Sequence, residues 1–579
     1  MFFQRLAEYS ERIDTPPSMY QKKLVKYLIS LSREGRYLKT IPLDDKGISM
    51  NVPIVRRNGI QACLLADSAA YVLGLNPRDP EKAQEMHRKF KALTDHCAQM
   101  TKDPIVGAVL HFLDTLNIEK LDLPEPFDYI ARITFEVDGV KPINLSEIQR
   151  YWAKASSSED PNEQMMECLV CKEPRPPVEK LSITVSGVPG GQASGVALVS
   201  SYEPAFWSYG LLRSHNSPMC EDCATRCTNA LNGLLGNKET HLYTGGLVYL
   251  FWAKEQESPF SWVSLFSESK PDEVQALFKS HWEGDKRATK NDLSPFYAAV
   301  LSGRSGRIVL HDWMQTTLAK AQENLENYFI LQHLETTSGK ERWFPLWALI
   351  KATIRPEIKQ EAPPYVGQSL LHFALHGGKL PISLLTLVLG RLRAVHKSKP
   401  GESYVSAAQA ALIKMALLSQ EDTSWLKGIT TERGHIMAQL EKECQSPAYL
   451  CGRLLAVLEA LQYAALGEVN STIVDSYYGT ASTSPASAFA FLMRNAQPHL
   501  SRLRKQKPDT FDYFSRRFRQ ITEALIDNQY PATLTVIEQG IFNLGYWHQN
   551  GVEEKARFAL NKQNGSKEGQ QEEKTNGSK

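Results

Sequence analysis

The stretch Tyr449-Leu450-Cys451-Gly452-Arg453-Leu454-Leu455-Ala456-Val457-Leu458-Glu459 decides how the last third of the chain folds. Leu450, Leu454, Val457 and Leu461 recur every three or four residues, the spacing of one face of an α-helix. Toward the N-terminus, Met314, Leu318, Ala321, Leu325 and Tyr328 keep the same period, which predicts a helix from about residue 313. Few alternating runs intervene, so the back of the chain reads as all-helical.

The front reads differently. Leu24 to Leu43 forms two extended runs around Arg33-Glu34-Gly35-Arg36, a charged turn that predicts a hairpin. Tyr129, Ala131, Ile133, Phe135 and Val137 alternate and stop at Asp138-Gly139. Leu247, Tyr249 and Phe251 do the same just after Gly245-Gly246. Helices lie between, as from Ser146 to Ala155, where Ser146 and Gln149 have capping-box spacing. The expectation is therefore an α+β N-terminal part with antiparallel hairpins, followed by an all-α C-terminal helical bundle.

With 42% hydrophobic and 22% charged residues, the chain has the composition of an ordinary globular protein. No apolar run long enough to cross a bilayer stands out, and Glu8 and Glu11 spoil a signal-peptide layout, so a cytoplasmic protein without membrane contact is expected. The net charge of +2 neither requires nor excludes nucleic acid, because a local basic stripe can serve in a near-neutral protein. Nine cysteines in 579 residues are too few for a disulfide scaffold.

Their spacing says more. Cys168-Leu169-Val170-Cys171 and Cys220-Glu221-Asp222-Cys223 are two CxxC units with 48 residues between them. Together they supply the four thiolates of a tetrahedral zinc site that ties a long loop to the start of a helix, a zinc-knuckle subdomain at 165–230. Two alternatives stand beside it. Cys220, Cys223 and Cys227 also fit a buried stripe on one helix face, and a CxxC unit can be a redox pair. Four cysteine ligands would leave no open position, so any zinc here is structural.

Catalytic signatures are scarce. We find no GxxxxGK[ST] loop, no HExxH and no GxSxG elbow. His311-Asp312 offers at most two ligands of a metal centre and is read as a turn between the strand-like Arg307-Ile308-Val309-Leu310 and the next helix. Tyr477-Tyr478 and Tyr546-Trp547-His548 are read as core or edge packing rather than base-stacking groups. Gly187-Val188-Pro189-Gly190-Gly191-Gln192-Ala193-Ser194-Gly195 is either a plain turn or a loop touching nucleic acid through Gln192 and Ser194.

Positive charge concentrates between Arg494 and Arg519. Arg494, Arg502, Arg504, Lys505, Lys507, Arg516, Arg517 and Arg519 face only Asp509 and Asp512 in that stretch, a density suited to a phosphate backbone. A solvated helix face is the alternative. Arg56-Arg57-Asn58-Gly59-Ile60-Gln61 is a shorter basic-polar stretch, a candidate for reading a base edge, with a plain surface turn as the alternative.

These segments resemble one family, the Csd-type large subunit of the type I-C CRISPR surveillance complex, Cascade. Tyr449 to Glu459 looks like its YxxGRLxAxLE stretch, continued by Asn470, Thr472-Ile473, Tyr477-Tyr478-Gly479, Ala481-Ser482 and Pro485. Glu538-Gln539-Gly540, Phe542 and Gly545-Tyr546-Trp547-His548-Gln549 resemble its closing EQGxFxxGYYHQ run. Gly191-Gln192-Ala193-Ser194-Gly195, Ser208-Tyr209-Gly210 and Ala230-Leu231-Asn232 match its middle, and Gly59-Ile60, Leu65, Asp67 and Tyr71-Val72-Leu73-Gly74 its front. Cys63 and Ser68 stand where similar sequences often carry asparagine, and the paired CxxC units are not general in the family.

The resemblance implies a non-enzymatic subunit that recognises the protospacer-adjacent motif, stabilises the R-loop and helps recruit the helicase-nuclease in antiviral defence. Its implied partners are the backbone and crRNA-processing subunits, crRNA, double-stranded target DNA, the displaced strand and the helicase-nuclease. The implied motif-reading residues are Arg56, Arg57, Asn58, Gln61, Gln192 and Ser194. Arg494, Arg502, Arg504, Lys505, Arg516 and Arg519 would hold strand backbone. Family members can also make the C-terminal part separately, for which Met415 and Met437 are in-frame candidates. The divisions expected are 1–330, a helical linker at 331–440, a bundle at 441–550 resembling a Cascade small subunit, and a disordered tail at 551–579. The rival readings are a metal-dependent nuclease using His311 and Asp312, and a free-standing zinc-containing RNA-binding protein.

Overall fold

The alternating run after Met19 becomes a long central strand. In the computed structural model, α1 (Phe2–Ser10) precedes β1 (Tyr20–Leu31), which turns back as β2 (Tyr37–Pro42) and is followed by β3 (Ile48–Pro53) and β4 (Ala66–Ser68). The structure describes residues 1–13, 16–17, 19–44, 46–54, 60–156, 164–179, 181, 183–201, 203–254, 261–284, 294–335, 341–354, 362–394, 404–426, 437–467 and 469–576. The hairpin around Arg33–Arg36 forms as expected, with Tyr27 opposite Pro42 and Ser30 opposite Lys39.

Two capped helices follow, α2 (Pro80–Thr101) and α3 (Pro104–Asp114). Asp79 accepts from Lys82 N, and Asp103 accepts from Ile105 N at 2.8 Å, satisfying first-turn amides. β5 (Arg132–Val137) then enters the sheet parallel to β1, with Leu31 beside Val137. The sequence suggested only antiparallel hairpins; the parallel pair arises because α2 and α3 supply the crossover that such a pair needs. The sheet order is β2-β1-β5-β4, with β3 also on β1. Val25, Tyr27, Ile29 and Leu31 of β1 pack with Phe90, Phe112, Phe135 and Trp152 in one core. Trp152 comes from α4 (Ser146–Ser156), where the Gln149 side chain donates to Ile143 O. The short strands β6 (Met166–Glu167) and β7 (Pro174–Arg175) form a hairpin, and α5 (Glu221–Gly236) closes this region.

A second sheet has the order β11-β10-β9-β8, from β8 (His241–Thr244), β9 (Leu247–Ala253), β10 (Pro295–Arg304) and β11 (Arg307–Thr317). β11 corrects the sequence reading at Met314. That residue lies within a strand, and the helix α6 (Leu318–Gln332) begins only after Thr317, whose side chain caps Lys320 N. Ser305 and Gly306, at φ of 50° and 76°, turn β10 into β11, which runs past Leu310 to Thr317.

The remaining described helices include α7 (Pro364–His376), α8 (Ile382–Arg393), α9 (Ala407–Leu418), α10 (Pro447–Leu466), α11 (Ile473–Ala481), α12 (Pro485–Gln506), α13 (Pro508–Asn528) and α14 (Val536–Asn576). The chain divides into two compact units, residues 1–238 with 301–313, and residues 239–300 with 314–579. One continuous core runs from Leu247 through Leu375 and Leu412 to Tyr546, so the described residues of 331–440 contribute to the second unit's interior rather than forming a linker. α14 continues as helix through the polar segment after Gly551, for which the sequence predicts disorder.

α10 is long and apolar enough to cross a membrane by length and composition, but most of it is buried. A helix apolar on every side is what the centre of a bundle requires. Glu459 in α10 accepts from Tyr546 Oη at 2.6 Å, and burial pushes its carboxyl up to about 7. A raised folded-state value means that the folded chain holds a proton the unfolded chain releases. Stability then falls as pH rises from about 4.5 to about 7, by roughly 3 kcal/mol in all. Glu459→Gln should flatten that part of the stability-pH curve and stabilise the protein at pH 8, as read by urea unfolding at a series of pH values. An unchanged slope would overturn the assignment.

Candidate metal centre and nucleic-acid interface

α5 is fixed against α1 before it offers any ligand. Arg226 Nη2 donates to Ala7 O at 3.0 Å and pairs with Glu11 at 2.5 Å, while Cys227 Sγ donates to Phe3 O. Cys227 is thereby occupied elsewhere, and its thiol is pushed up to about 12 by burial. Cys220 precedes the first turn of α5 and Cys223 lies within that turn. Cys168 and Cys171 sit in the β6–β7 hairpin, where Lys172 N bonds Cys168 O and Lys172 takes φ of 64°.

The four ligand atoms of Cys168, Cys171, Cys220 and Cys223 all lie within 4.8 Å of one another. Sγ of Cys171 and Cys220 are 3.9 Å apart. A disulfide needs about 2.05 Å, whereas tetrahedral zinc with bonds of about 2.3 Å spaces its sulfurs by about 3.8 Å. Cys220 N also donates to Cys168 Sγ, a further tie between the two knuckles. The hydrogen bond from Cys223 holds the Cys220 thiol down, to about 5, and the same contact pushes Cys223 up. One negative sulfur resists ionisation of the next, so full deprotonation calls for a cation. The cluster fits a metal.

The chain between the two knuckles is tied down at its base and along its length. Leu169 N donates to Pro218 O and Val178 N to Met219 O. Asn232 of α5 accepts from Ser186 N and donates to Thr184 O, which accounts for the matched Asn232. The glycine loop packs on the tip of the β10–β11 hairpin, where Gly303 N donates to Pro189 O at 2.7 Å. A Cβ on Gly191 would lie 2.7 Å from Val196 Cγ1, and one on Gly190 would lie 2.7 Å from Gly303 O. Close packing therefore explains these glycines. Gln192 and Ser194 remain exposed on the outside of the loop.

Arg56, Arg57 and Asn58 lie outside the described residues. Gln61 is exposed just after them. Asp67 pins the adjoining turn by accepting from Cys63 N and Ser68 N, each at 2.8 Å, and its carboxyl is pushed up by burial. The two positions that depart from asparagine thus frame one buried carboxylate.

In the second unit, α12 and α13 scatter the basic cluster over several faces. Arg494, Arg502, Arg504, Lys505, Arg516 and Arg519 are exposed. Arg502 and Arg516, with Lys507, line a cleft of about 730 Å³ that also presents Tyr463, Tyr513 and Arg557. Arg504 instead lies over Phe511, and Arg494 over Phe491. Arg517 is partly buried against Glu553 and Tyr513, which removes it from the basic surface. Acidic Glu459, Glu553, Glu554 and Asp509 line the same cleft, so its charge is mixed. Sequence did not nominate Arg557 as a contact, because only folding brings it to the cleft that Arg502 lines.

His311 Nε2 is hydrogen-bonded to Ser302 Oγ at 2.8 Å across the hairpin. As neighbours in β11, His311 and Asp312 point to opposite faces, so the dipeptide cannot close on one metal. Tyr478, Tyr546 and His548 are buried. His548 bonds Tyr449 Oη and Met437 O, and burial pushes its imidazole down to about 3.

A family model described as CRISPR-associated protein (Cas_Csd1) matches residues 2–552. No match was found among curated proteins. The matched span begins in α1, covers both knuckles and the glycine loop, and ends within α14. The chain therefore belongs to the Csd1 family of CRISPR-associated proteins.

Proposed function

We propose that this Csd1-family protein is the non-catalytic large subunit of a type I-C Cascade, recognising the protospacer-adjacent motif, stabilising the R-loop and helping to recruit the helicase-nuclease. Its partners in that role are crRNA, the backbone and crRNA-processing subunits, target DNA and the helicase-nuclease. The observation that carries the reading is the joining of Arg502, Lys507 and Arg516 at one cleft beside Tyr463 and Tyr513. Guanidinium forks hold phosphates and phenol rings stack on bases, a combination suited to an unpaired strand. Gln61, Gln192 and Ser194, with Arg56, Arg57 and Asn58, are the candidates for reading the duplex motif.

Zinc at Cys168, Cys171, Cys220 and Cys223 serves a structural role in this proposal. It would neutralise the thiolates and lock the β6–β7 hairpin to α5, supplying no reactive position.

Affinity purification from the native host tests the class: co-purification with crRNA and backbone subunits is expected, and a chain recovered alone would sink it. Within that complex, Arg502→Ala with Arg516→Ala should preserve assembly while weakening target binding roughly tenfold. The log–log salt slope should lose about 1.4 to 1.8 in magnitude. Unchanged affinity and slope would remove the cleft from the strand path.

A further inference from the structure

The segment between the knuckles ends in a built aromatic tip. Ser208 and Leu211 form an antiparallel bridge, Leu211 N donates to Ser208 O at 2.9 Å, and Tyr209 and Gly210 hold φ of 54° and 73°. These are the features of a type I′ turn, whose first central position favours asparagine. A tyrosine there is disfavoured by its Cβ, so the turn retains a ring at a conformational cost. That ring is 98% exposed.

Its neighbours hold the loop. Trp207 Nε1 donates to Ser201 O at 3.1 Å, Ser208 Oγ to Asn216 Oδ1 at 2.8 Å, and Asn216 Nδ2 to Phe206 O. Arg307 covers the Phe206 ring at 4.4 Å and itself pairs with Glu203. Arg307 bridges Ala197, and a Cβ on the adjacent Gly306 would meet the Gln192 amide at 3.5 Å, so Gln192 lies beside the hairpin turn that follows exposed Arg304. Phe206 and Trp207 are engaged in support; Tyr209 is not.

We propose that Tyr209 is a stacking platform for a base of target DNA exposed where the duplex opens. The inference rests on the target-binding function proposed above and gives that function a specific residue. A single ring offers the area of one base on each face, far below the roughly 800 Å² per partner of a stable protein interface. Gln192 and Arg304, both exposed in the same unit, offer an amide for a base edge and a guanidinium for a phosphate. The cysteine cluster, at the base of the same segment, would set the position of the platform.

Tyr209→Asn tests this directly, because asparagine suits the turn and removes the ring. In the purified complex, the variant should assemble fully, carry its normal crRNA and melt no lower than the wild type. Its affinity for a target duplex should fall about 5- to 140-fold, the range for one lost stack. Quenching of 2-aminopurine placed along the duplex near the motif should disappear at one position, and Tyr209→Phe should restore both signals. Wild-type affinity in Tyr209→Asn overturns the proposal while leaving the parent reading intact. Loss of crRNA would reassign the ring to guide, and loss of a subunit would reassign it to a protein surface; either result overturns it. A wild-type complex that binds no target sinks the parent reading first.

Discussion

Cys223→Ser is expected to bring the metal content of the purified protein from one zinc per chain to near zero. Two of the four thiols, Cys168 and Cys171, sit on a hairpin only two residues wide on each side, which has little pairing of its own to hold it. Binding of structural zinc to four thiolates is worth on the order of 10 kcal/mol, much more than such a hairpin contributes. The variant should therefore expose the 164–219 segment to proteolysis within minutes, with Cys220→Ser behaving alike. Cys227→Ser supplies the control, since its thiol bonds Phe3 O and should leave zinc bound. Metal analysis and limited proteolysis check both. Wild-type protein isolated without metal, or a Cys223→Ser protein with its full complement, would restore the buried-thiol reading.

The second large effect concerns two helices that touch backbone to backbone. A Cβ on Gly452 of α10 would fall on the Phe542 carbonyl, and one on Gly545 of α14 would fall on the Tyr449 carbonyl. Neither carbonyl can move without breaking its own helix, so α10 and α14 would have to separate along their whole contact. Gly452→Ala and Gly545→Ala should each cost at least about 3 kcal/mol, the upper end for overpacking. Gly479→Ala provides the contrast, because its Cβ would meet Arg393 O only at 3.8 Å in a helix. That variant should be neutral or gain about 1 kcal/mol from helix propensity. Denaturant unfolding of the full chain ranks the three, and equal midpoints would refute the close-packing account.

This contact explains why the two C-terminal motifs were so legible. Tyr449 bonds His548, Arg453 donates to Gln549 at 3.1 Å, and Glu459 accepts from Tyr546. The residues that carry the resemblance are thus largely partners of one another within a bundle core. They identify the family through its packing.

Local rules determined the Arg33–Arg36 hairpin, the apolar helix at 447–466 and the cysteine pairs, because turn chemistry, hydrophobic period and ligand spacing are all short-range signals. They failed at Met314, where a strand and a helix share the same apolar residues until the partner strand Pro295–Arg304 is known. Sequence also offered the arginines from 494 to 519 as a single stripe. Only the tertiary fold decided that Arg502 and Arg516 meet at a cleft, that Arg517 is held by Glu553, and that Tyr209 stands clear of the surface. Side-chain direction and proximity depend on how helices and loops pack across long sequence separations, and no local pattern encodes that.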